Sequence, residues 1–251
     1  MNVVSRRTFL AGTLSAVLTI STLRFVRTRR ALGGAIALAV DDWLLQVQRL
    51  SAAVKEGRIT PRAWRRQVQR LTQQVPLAEI LRVTDFSALA TDVDAVEGAE
   101  PQRMLTFPIP SGTSQLAFTA ILSRIRERFA VVPHGHHNMV SMHLILKGAV
   151  RLRQYDRLQD DPAYLVLRPV ADRVCRPGDT SAISADRGNV HWFQGLEDSF
   201  ALIVAAYDLD AAAGPTARDY VDPLEAERQA DGSLHAPRLT LDDAYRRYLQ
   251  F

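Results

Sequence analysis

The sequence has a single cysteine, Cys175, among its 251 residues. One thiol excludes an internal disulfide framework and any zinc module built from several cysteines. Acidic residues are absent before Asp41, although this stretch carries six arginines. Removing those six charges from the formal net charge of +4 leaves −2, so the rest of the protein is mildly acidic. The basic character therefore belongs to the N-terminus, and it gives no reason to expect nucleic-acid binding.

A long apolar run is also missing. The apolar stretch from Thr8 to Leu23 has 16 residues, whereas a spanning helix needs roughly 20. It begins within Ser5-Arg6-Arg7-Thr8-Phe9-Leu10, which resembles the twin-arginine export signal, and Ala-Leu-Ala at 37–39 has the small-x-small form that signal peptidase accepts. We therefore expect residues 1–39 to direct the protein to the periplasm or beyond. An uncleaved membrane anchor at residues 8–23 and a misplaced start codon are the alternatives.

Two partners follow from this interpretation of the N-terminus. The twin-arginine export machinery would be one, and contact with the membrane is expected only through the same segment. This export route carries proteins that are already folded, often with a metal inside, which suits a metalloprotein passenger.

The next part of the chain, residues 40–100, has helical periodicity and then a linker. Apolar residues recur at spacings of three and four between Leu44 and Val54 and again after Trp64, which predicts amphipathic helices. Thr60 followed by Pro61 is an N-cap with proline at the first helical position. We expect helices from Asp41 to Gly57, from Pro61 to Val75 and over residues 77–83, and a linker over residues 91–101.

Between residues 101 and 210 the pattern shortens to strand-like runs separated by Gly, Pro and Asp. Many short strands with turn signals indicate a sandwich or barrel, so the predicted fold class is mainly β, with an N-terminal helical segment. Residues 211–251 are expected to form a loop and then a helix, because Thr240 and Asp243 have the spacing of a capping box. Strands are predicted over residues 115–122, 129–133, 141–146, 150–155, 164–169, 180–184 and 200–207.

Five of the six histidines lie in this β region, four of them within ten residues. His134 and His136 project to one face of a strand, because side chains alternate with period two. A lone histidine on an apolar strand is usually a packed core residue. A His-x-His pair followed by a later Asn-x-His, ending at His191, is harder to explain that way and indicates a metal site.

The run from His134 to Gly148, His-Gly-His-His-Asn-Met-Val-Ser-Met-His-Leu-Ile-Leu-Lys-Gly, resembles the first cupin motif. Its form is similar to that of the three-histidine thiol dioxygenases, in particular the plant cysteine oxidases and cysteamine dioxygenase. The segment Gly-Asn-Val-His-Trp-Phe at 188–193 resembles their second motif, and the likeness covers under half of the chain. It implies a cupin barrel (a double-stranded β-helix or jelly roll) over residues 101–210. It also implies that His134, His136 and His191 bind the metal.

Many cupins have a glutamate ligand where this chain has Ser141, so the resemblance implies three histidines without a carboxylate. Neutral imidazoles suit Fe(II), zinc, nickel and copper, whereas manganese prefers oxygen. Three protein ligands leave positions open for substrate and O₂, which is typical of a catalytic site. We expect Fe(II), with zinc, nickel or copper as alternatives.

Other positions add candidates and also depart from the family. The thiol dioxygenases have a tyrosine late in the barrel, and Tyr207 matches it if a gap is allowed. Arg187 replaces a glycine, and Ala205 stands where the free-cysteine dioxygenases have a histidine, which argues against free cysteine as the substrate. His143 shares strand parity with Ser141, so it is either a donor or base beside the metal or an ordinary residue lining the barrel. Cys175 has no evident basic partner, which indicates a packed residue rather than a nucleophile.

Two functions of different classes fit these observations. The first is an exported Fe(II) dioxygenase that uses O₂ on a small thiol or related substrate, with Tyr207 and His143 as catalytic candidates. The second is an exported cupin that binds a metal or small ligand without turnover, because the fold alone decides no function. A zinc-dependent isomerase or hydrolase is a third and less favoured reading.

Overall fold

The structure is a computed structural model that describes residues 39–94, 100–107 and 115–251. The expected export signal, and the anchor proposed as its alternative, lie outside these residues except for Ala39. Within the described ranges, no helix is both long and apolar enough to cross a membrane.

Four helices come first, and two tryptophans join the first pair. The indole N–H of Trp43 donates to Thr72 Oγ1 at 3.1 Å, and that of Trp64 donates to Ser51 Oγ at 3.0 Å. Thr60 caps the second helix through its hydroxyl oxygen, as its position before Pro61 predicts. The helices are α1 (Val40–Lys55), α2 (Pro61–Thr72), α3 (Leu77–Val83) and α4 (Phe86–Asp94).

Helix α4 differs from the sequence prediction, which has a linker from residue 91. Its composition is small and acidic, so its local sequence gives only a weak helix signal. Tertiary packing stabilises the helix instead, because Val93 is fully buried in the main apolar cluster and Leu89 packs against that cluster. Such packing routinely overrides local propensity.

The described residues contain twelve strands in two sheets, and all the strand pairs are antiparallel. One sheet has the order β1-β2-β9-β4-β7, and the other has β10-β3-β8-β5-β6-β12-β11, with β10 also pairing with β12. The strands are β1 (Gln102–Leu105), β2 (Thr119–Ile125), β3 (Ala130–His136), β4 (Met139–Lys147), β5 (Val150–Asp160), β6 (Tyr164–Cys175), β7 (Thr180–Ile183), β8 (Val190–Gly195), β9 (Ser199–Tyr207), β10 (Arg218–Val221), β11 (Glu227–Arg228) and β12 (Leu234–Leu239).

The strand order from β2 to β9 identifies the architecture. Every connection in this stretch crosses to the other sheet, except the one between β5 and β6. Eight strands arranged as 2-9-4-7 facing 3-8-5-6 form a jelly roll, which is the cupin barrel. The predicted fold class, a mainly β cupin barrel with an N-terminal helical segment, is confirmed.

The sheet does not stop at residue 210, where the sequence places the end of the barrel. Strands β10 and β12 pair with β3 and β6, and their mutual pairing closes the larger sheet on itself. Val221 and Ala236 are completely buried there, so long-range pairing makes strands of a region whose composition indicates a loop. The final helix, α5 (Leu241–Tyr248), begins after the predicted cap at Thr240.

Strand β4 shows how the helices and the barrel interior share one sheet. Val140, Met142 and Leu144 belong to the apolar cluster that also contains Trp43 and Trp64 of the helices. The alternate residues Met139, Ser141 and His143 line a cavity inside the barrel. Both faces of β4 are therefore buried, and the helical layer supports the sheet from outside.

Candidate metal centre

The three histidines that the sequence singles out lie together inside the barrel. His134 and His136 are on β3, and His191 on the neighbouring strand β8 is directly opposite His134. One ring nitrogen from each lies within 4.8 Å of those of the other two. Bonds of about 2.1 Å allow ligands of one metal to be up to about 4.2 Å apart, so small ring rotations bring this set to coordination distance. Metal binding by these residues stays a prediction.

Backbone carbonyls set the orientation of two of the rings. His134 Nδ1 lies 2.8 Å from the carbonyl oxygen of Val132, and His191 Nδ1 lies 3.0 Å from that of Asn189. A carbonyl can only accept, so each Nδ1 carries the proton and each Nε2 keeps its lone pair in the neutral ring. This is the arrangement that orients metal-ligating histidines in proteins.

Burial keeps all three rings neutral. The exposed fractions are 1 % for His134, 9 % for His136 and 2 % for His191. Burial, reinforced by the neighbouring histidines, holds the pKa of His134 well below its usual value, and burial with the charges of His191 and Arg218 lowers the pKa of His136 to about 2. Burial also lowers the pKa of His191 to about 4. Neutral imidazole is the form that binds a metal, so the site is prepared for a cation.

Asn189 fixes the backbone between the ligands. Its side-chain N–H donates to the carbonyl oxygens of His136 at 2.8 Å and Ser184 at 3.3 Å, and its oxygen accepts from His136 N–H at 3.3 Å. Gly135 makes room for this contact, because a Cβ there would lie 2.7 Å from Asn189 Oδ1 and 3.0 Å from a methyl carbon of Val190. The His-x-His motif therefore needs glycine at position 135, because a larger residue would collide with the Asn189 side chain.

A buried carboxylate holds the turn that leads into β8. Asp156 accepts a hydrogen bond from the backbone N–H of Gly188 at 2.8 Å and pairs with Arg187 Nη1 at 2.6 Å. Asp156 is only 3 % exposed. Arg187, which departs from the glycine of the resembled motif, thus supplies the countercharge for the carboxylate below it.

A cavity of about 60 Å³ adjoins the three histidines. At about 10–15 Å³ per water-sized group, it has room for roughly four to six such groups. Much of its wall is apolar, and the polar side chains that reach it come from both sheets. The lining includes Ile125, Val131, Phe193, Ile203, Ser141, His143, Tyr207 and Arg218.

His143 and Tyr207 therefore lie where the sequence hypotheses need them. The His143 ring is 5.3 Å from the His191 ring, between centroids, and its Nδ1 is buried without a hydrogen-bond partner among the described residues. Burial, with the charges of His191 and Arg218, holds the pKa of His143 well below its usual value. Burial raises the pKa of Tyr207, so its hydroxyl stays protonated and can donate. Their catalytic roles stay predictions. Cys175 is buried in an apolar cluster, where burial raises the pKa of its thiol.

Sequence reasoning missed Arg218. This residue lies on β10 directly opposite His136, while Tyr220 lies opposite His134. The short run Arg-Asp-Tyr-Val has strand character, but the surrounding Ala-, Asp- and Pro-rich composition hides it. Only the pairing of β10 with β3 places a guanidinium in the cavity wall.

The residues present fit a bound metal ion. Two rings offer Nε2 lone pairs, and the third, His136, has a buried Nδ1 without a hydrogen-bond partner in the described parts of the chain. The donor set is three neutral nitrogens without a carboxylate, because Ser141 stands at the position where many cupins have glutamate. Such a set suits Fe(II), zinc, nickel or copper.

Comparison with solved structures finds cupins at low similarity. KdgF from Halomonas sp. is 16 % identical, with a TM-score of 0.32 over 44 % of this chain and 81 % of that one. A cupin superfamily protein from Desulfitobacterium hafniense is also 16 % identical, with a TM-score of 0.32 over 47 % and 86 %. Procruciferin, an 11S globulin from Brassica napus, is 13 % identical, with a TM-score of 0.31 over 41 % and 22 %.

No family model and no curated protein matches the chain. These TM-scores are too low to support an argument, so the fold is assigned from the strand order alone. The chain is a cupin-type jelly roll with a buried three-histidine group able to hold a metal ion.

Proposed function

We propose that this protein is an exported, Fe(II)-dependent dioxygenase that acts on a small thiol or a related substrate. One observation carries the proposal: three neutral imidazoles converge beside a partly open cavity, and no carboxylate is among them. Three protein ligands leave coordination positions for two further molecules. The resemblance to the thiol dioxygenases supplies the reaction class.

When bound, Fe(II) supplies one-electron chemistry and coordination positions for substrate and O₂. The net reaction, RSH + O₂ → RSO₂H, places both oxygen atoms on sulfur, so it needs no external reductant. The chain supplies a pocket whose wall includes the apolar side chains of Phe193 and Val131. The neutral Tyr207 hydroxyl and the His143 ring provide hydrogen-bonding groups on the opposite sheet that orient substrate.

The test combines metal analysis with O₂ consumption. Protein purified from its native compartment should contain close to one iron per chain. It should consume O₂ with at least one member of a thiol panel and form the sulfinic acid. His191→Ala should keep the fold, because the apolar strands supply the core, but lose iron and O₂ uptake.

His235→Ala is the matched control. His235 stacks on Tyr164, with ring centroids 4.7 Å apart, and it is not among the cavity-lining residues. This variant should retain iron and turnover. Unchanged O₂ uptake in His191→Ala, or none with any thiol in iron-loaded wild type, would refute the dioxygenase proposal.

The second candidate is a cupin that binds a metal or small ligand without turnover. The small volume of the cavity favours it, because about 60 Å³ admits only a compact ligand. Protein that contains one metal ion per chain but consumes no O₂ with any thiol of the panel would support this function.

Export by the twin-arginine route is also part of the proposal. Arg6→Lys combined with Arg7→Lys should abolish transport, while the cytoplasmic protein remains folded and able to bind metal. Equal transport of the double variant and the wild type would contradict a twin-arginine signal.

A further inference from the structure

The first two helices carry an internal repeat. Residues 43–54 and 64–75 share a tryptophan, the run Gln-Val-Gln-Arg-Leu and a final valine. Their contacts correspond as well, because the tryptophan of each copy donates its indole N–H to the hydroxyl of the ninth residue of the other copy. The two copies are therefore antiparallel, and an approximate two-fold axis relates them.

Packing against the barrel accounts for only part of the shared run. The valine of each copy is completely buried in the main apolar cluster. The second glutamine holds each helix to the barrel, because Gln48 bonds to the backbone of residues 115 and 117 at 3.3 and 2.8 Å, and Gln69 bonds to the carbonyl oxygen and hydroxyl of Thr180 at 3.4 and 3.2 Å. The side chains of the first glutamine and of the arginine make no hydrogen bond or ion pair with any described residue.

These remaining positions line an open groove between α1 and α2, the hairpin groove. It has a volume of about 320 Å³ and is lined by the first glutamine, the arginine and the leucine of both copies: Gln46, Arg49, Leu50, Gln67, Arg70 and Leu71. The two leucines are half-buried against the main apolar cluster, and the two arginines are exposed. The groove therefore combines apolar surface with two guanidinium groups that have no countercharge in the described parts of the chain.

The charge of this surface has one sign. Helix α2 contains no acidic residue, and no carboxylate is among the described residues that line the groove. Arg62 and Arg66 are also exposed on α2 and form no ion pair with a described residue. Such a field attracts an acidic partner and repels a second copy of the same surface.

Magnitudes decide which kind of acidic partner fits the groove. One exposed ion pair changes an affinity only about 1.5- to 5-fold, so a small dianion that meets the two arginines would bind weakly. A flat lipid surface would not reach the leucines of a concave groove. A peptide segment can do both, because it spreads several carboxylates along the arginines and lays an apolar side chain between the helices.

We propose that the hairpin groove binds an acidic peptide segment of a partner protein. Carboxylates near the two ends of the segment pair with Arg49 and Arg70, and an apolar residue between them covers Leu50 and Leu71. Because the two copies of the repeat are equivalent, both arginines contribute equally. The groove belongs to the helical layer outside the barrel, so its role does not depend on the metal centre or on the proposed reaction.

Fluorescence anisotropy with two synthetic peptides tests the proposal on the purified protein. The acidic probe is fluorophore-labelled Asp-Glu-Leu-Ala-Leu-Glu-Asp, and its neutral counterpart has Asn and Gln in place of Asp and Glu. At low salt the wild type should bind the acidic peptide at least about 10-fold more tightly, and added salt should reduce the difference because it screens the charges. Arg49→Gln and Arg70→Gln should each weaken binding about 3-fold, to the same extent, and the double variant about 10-fold.

Arg168→Gln is the matched control. It removes one exposed arginine from β6, in the other sheet, and leaves the groove unchanged. Its affinity for the acidic peptide should equal that of the wild type. The variants at Arg49 and Arg70 should keep the wild-type urea midpoint, because these side chains make no hydrogen bond or ion pair with a described residue.

Equal affinity of the wild type for the two peptides would overturn the proposal, and so would variants at Arg49 and Arg70 that bind like Arg168→Gln. A loss confined to one of the two arginines would contradict the two-fold arrangement of the site. Phosphatidylglycerol vesicles that bind through these arginines while the peptide does not would assign the groove to a membrane. Self-association that is lost in the same variants would assign it to a second copy of the chain, and either result excludes the peptide.

Discussion

Gly135→Ala should damage the metal site by displacing a neighbour rather than a ligand. The new methyl group would lie 2.7 Å from Asn189 Oδ1, too close to be accommodated, so the asparagine must turn away. It would then lose its hydrogen bonds to the backbone of His136 and to Ser184. At about 1 kcal/mol each, three hydrogen bonds amount to about 3 kcal/mol of the free energy of unfolding.

Part of this loss is offset, because alanine restricts the unfolded chain and regains about 0.4–1 kcal/mol. The net cost is about 2 kcal/mol, or about 4–8 °C in Tm for a domain of this size. Metal affinity should fall by a similar free energy. Loss of the groups that orient a ligand typically costs about 10- to 100-fold in affinity.

The assay is a double-mutant cycle with Asn189→Ala, measured by urea denaturation and by competition with a chromogenic chelator. Once the asparagine side chain is gone, the new methyl group still lies 3.0 Å from a methyl carbon of Val190 but no longer breaks the Asn189 hydrogen bonds, so the cost of Gly135→Ala should fall by most of its value. Non-additivity of this kind is the signature of two residues acting through one contact. Equal costs of Gly135→Ala in both backgrounds would show that the steric argument is wrong.

Other parts of the molecule give further predictions. Burial alone would raise the pKa of Asp219, but the hydrogen bond and charge of Arg157, with His137 and Arg238, lower it. The ionised carboxylate thus stabilises the fold above its unfolded pKa of about 3.9, and this contribution is lost as the pH falls through the lower folded pKa. Urea midpoints of wild type should decline across that acidic window, and Asp219→Asn should flatten the decline; parallel curves would contradict this. Tyr207→Phe should retain iron by metal analysis but slow O₂ uptake on the order of 10²-fold, whereas an unchanged rate would remove Tyr207 from the mechanism. Trp64→Phe should lower the free energy of unfolding, measured by urea denaturation, by about 1–3 kcal/mol, because the buried Ser51 hydroxyl loses its hydrogen-bond donor. Its metal affinity should equal that of the wild type, because the helical layer packs outside the barrel and does not contact the histidines.

Local pattern was a good guide wherever neighbours along the chain set the geometry. His134 and His136 share a face because strand side chains alternate, and the structure places both on the cavity side of β3. Thr60 and Thr240 cap helices because a hydroxyl two or three residues upstream of a free N–H accepts its hydrogen bond. The number and spacing of short strands predicted a mainly β sandwich or barrel, and the resemblance to the cupin motifs implied the jelly roll.

Local pattern failed where distant segments meet. Helix α4 and strands β10 and β12 have weak local signals, and they form because Val93, Val221 and Ala236 are buried against remote parts of the chain. Strand β8 was absent from the predicted strands even though it contains His191, and its pairing with β3 and β5 defines it.

The sequence by itself determined the histidine triad, the vacancy left by Ser141 where glutamate stands in many cupins, and the alternation that turns residues of β4 towards the barrel interior. These properties depend on residue identity and on the two-residue period of a strand. Tertiary structure alone decided that Asn189 clamps His136 and that Arg218, paired with Glu100, enters the wall of the same cavity. Register between strands that are far apart in sequence sets these contacts. Which residues face each other across a sheet depends on that register, and the spacing of residues along one segment does not determine it.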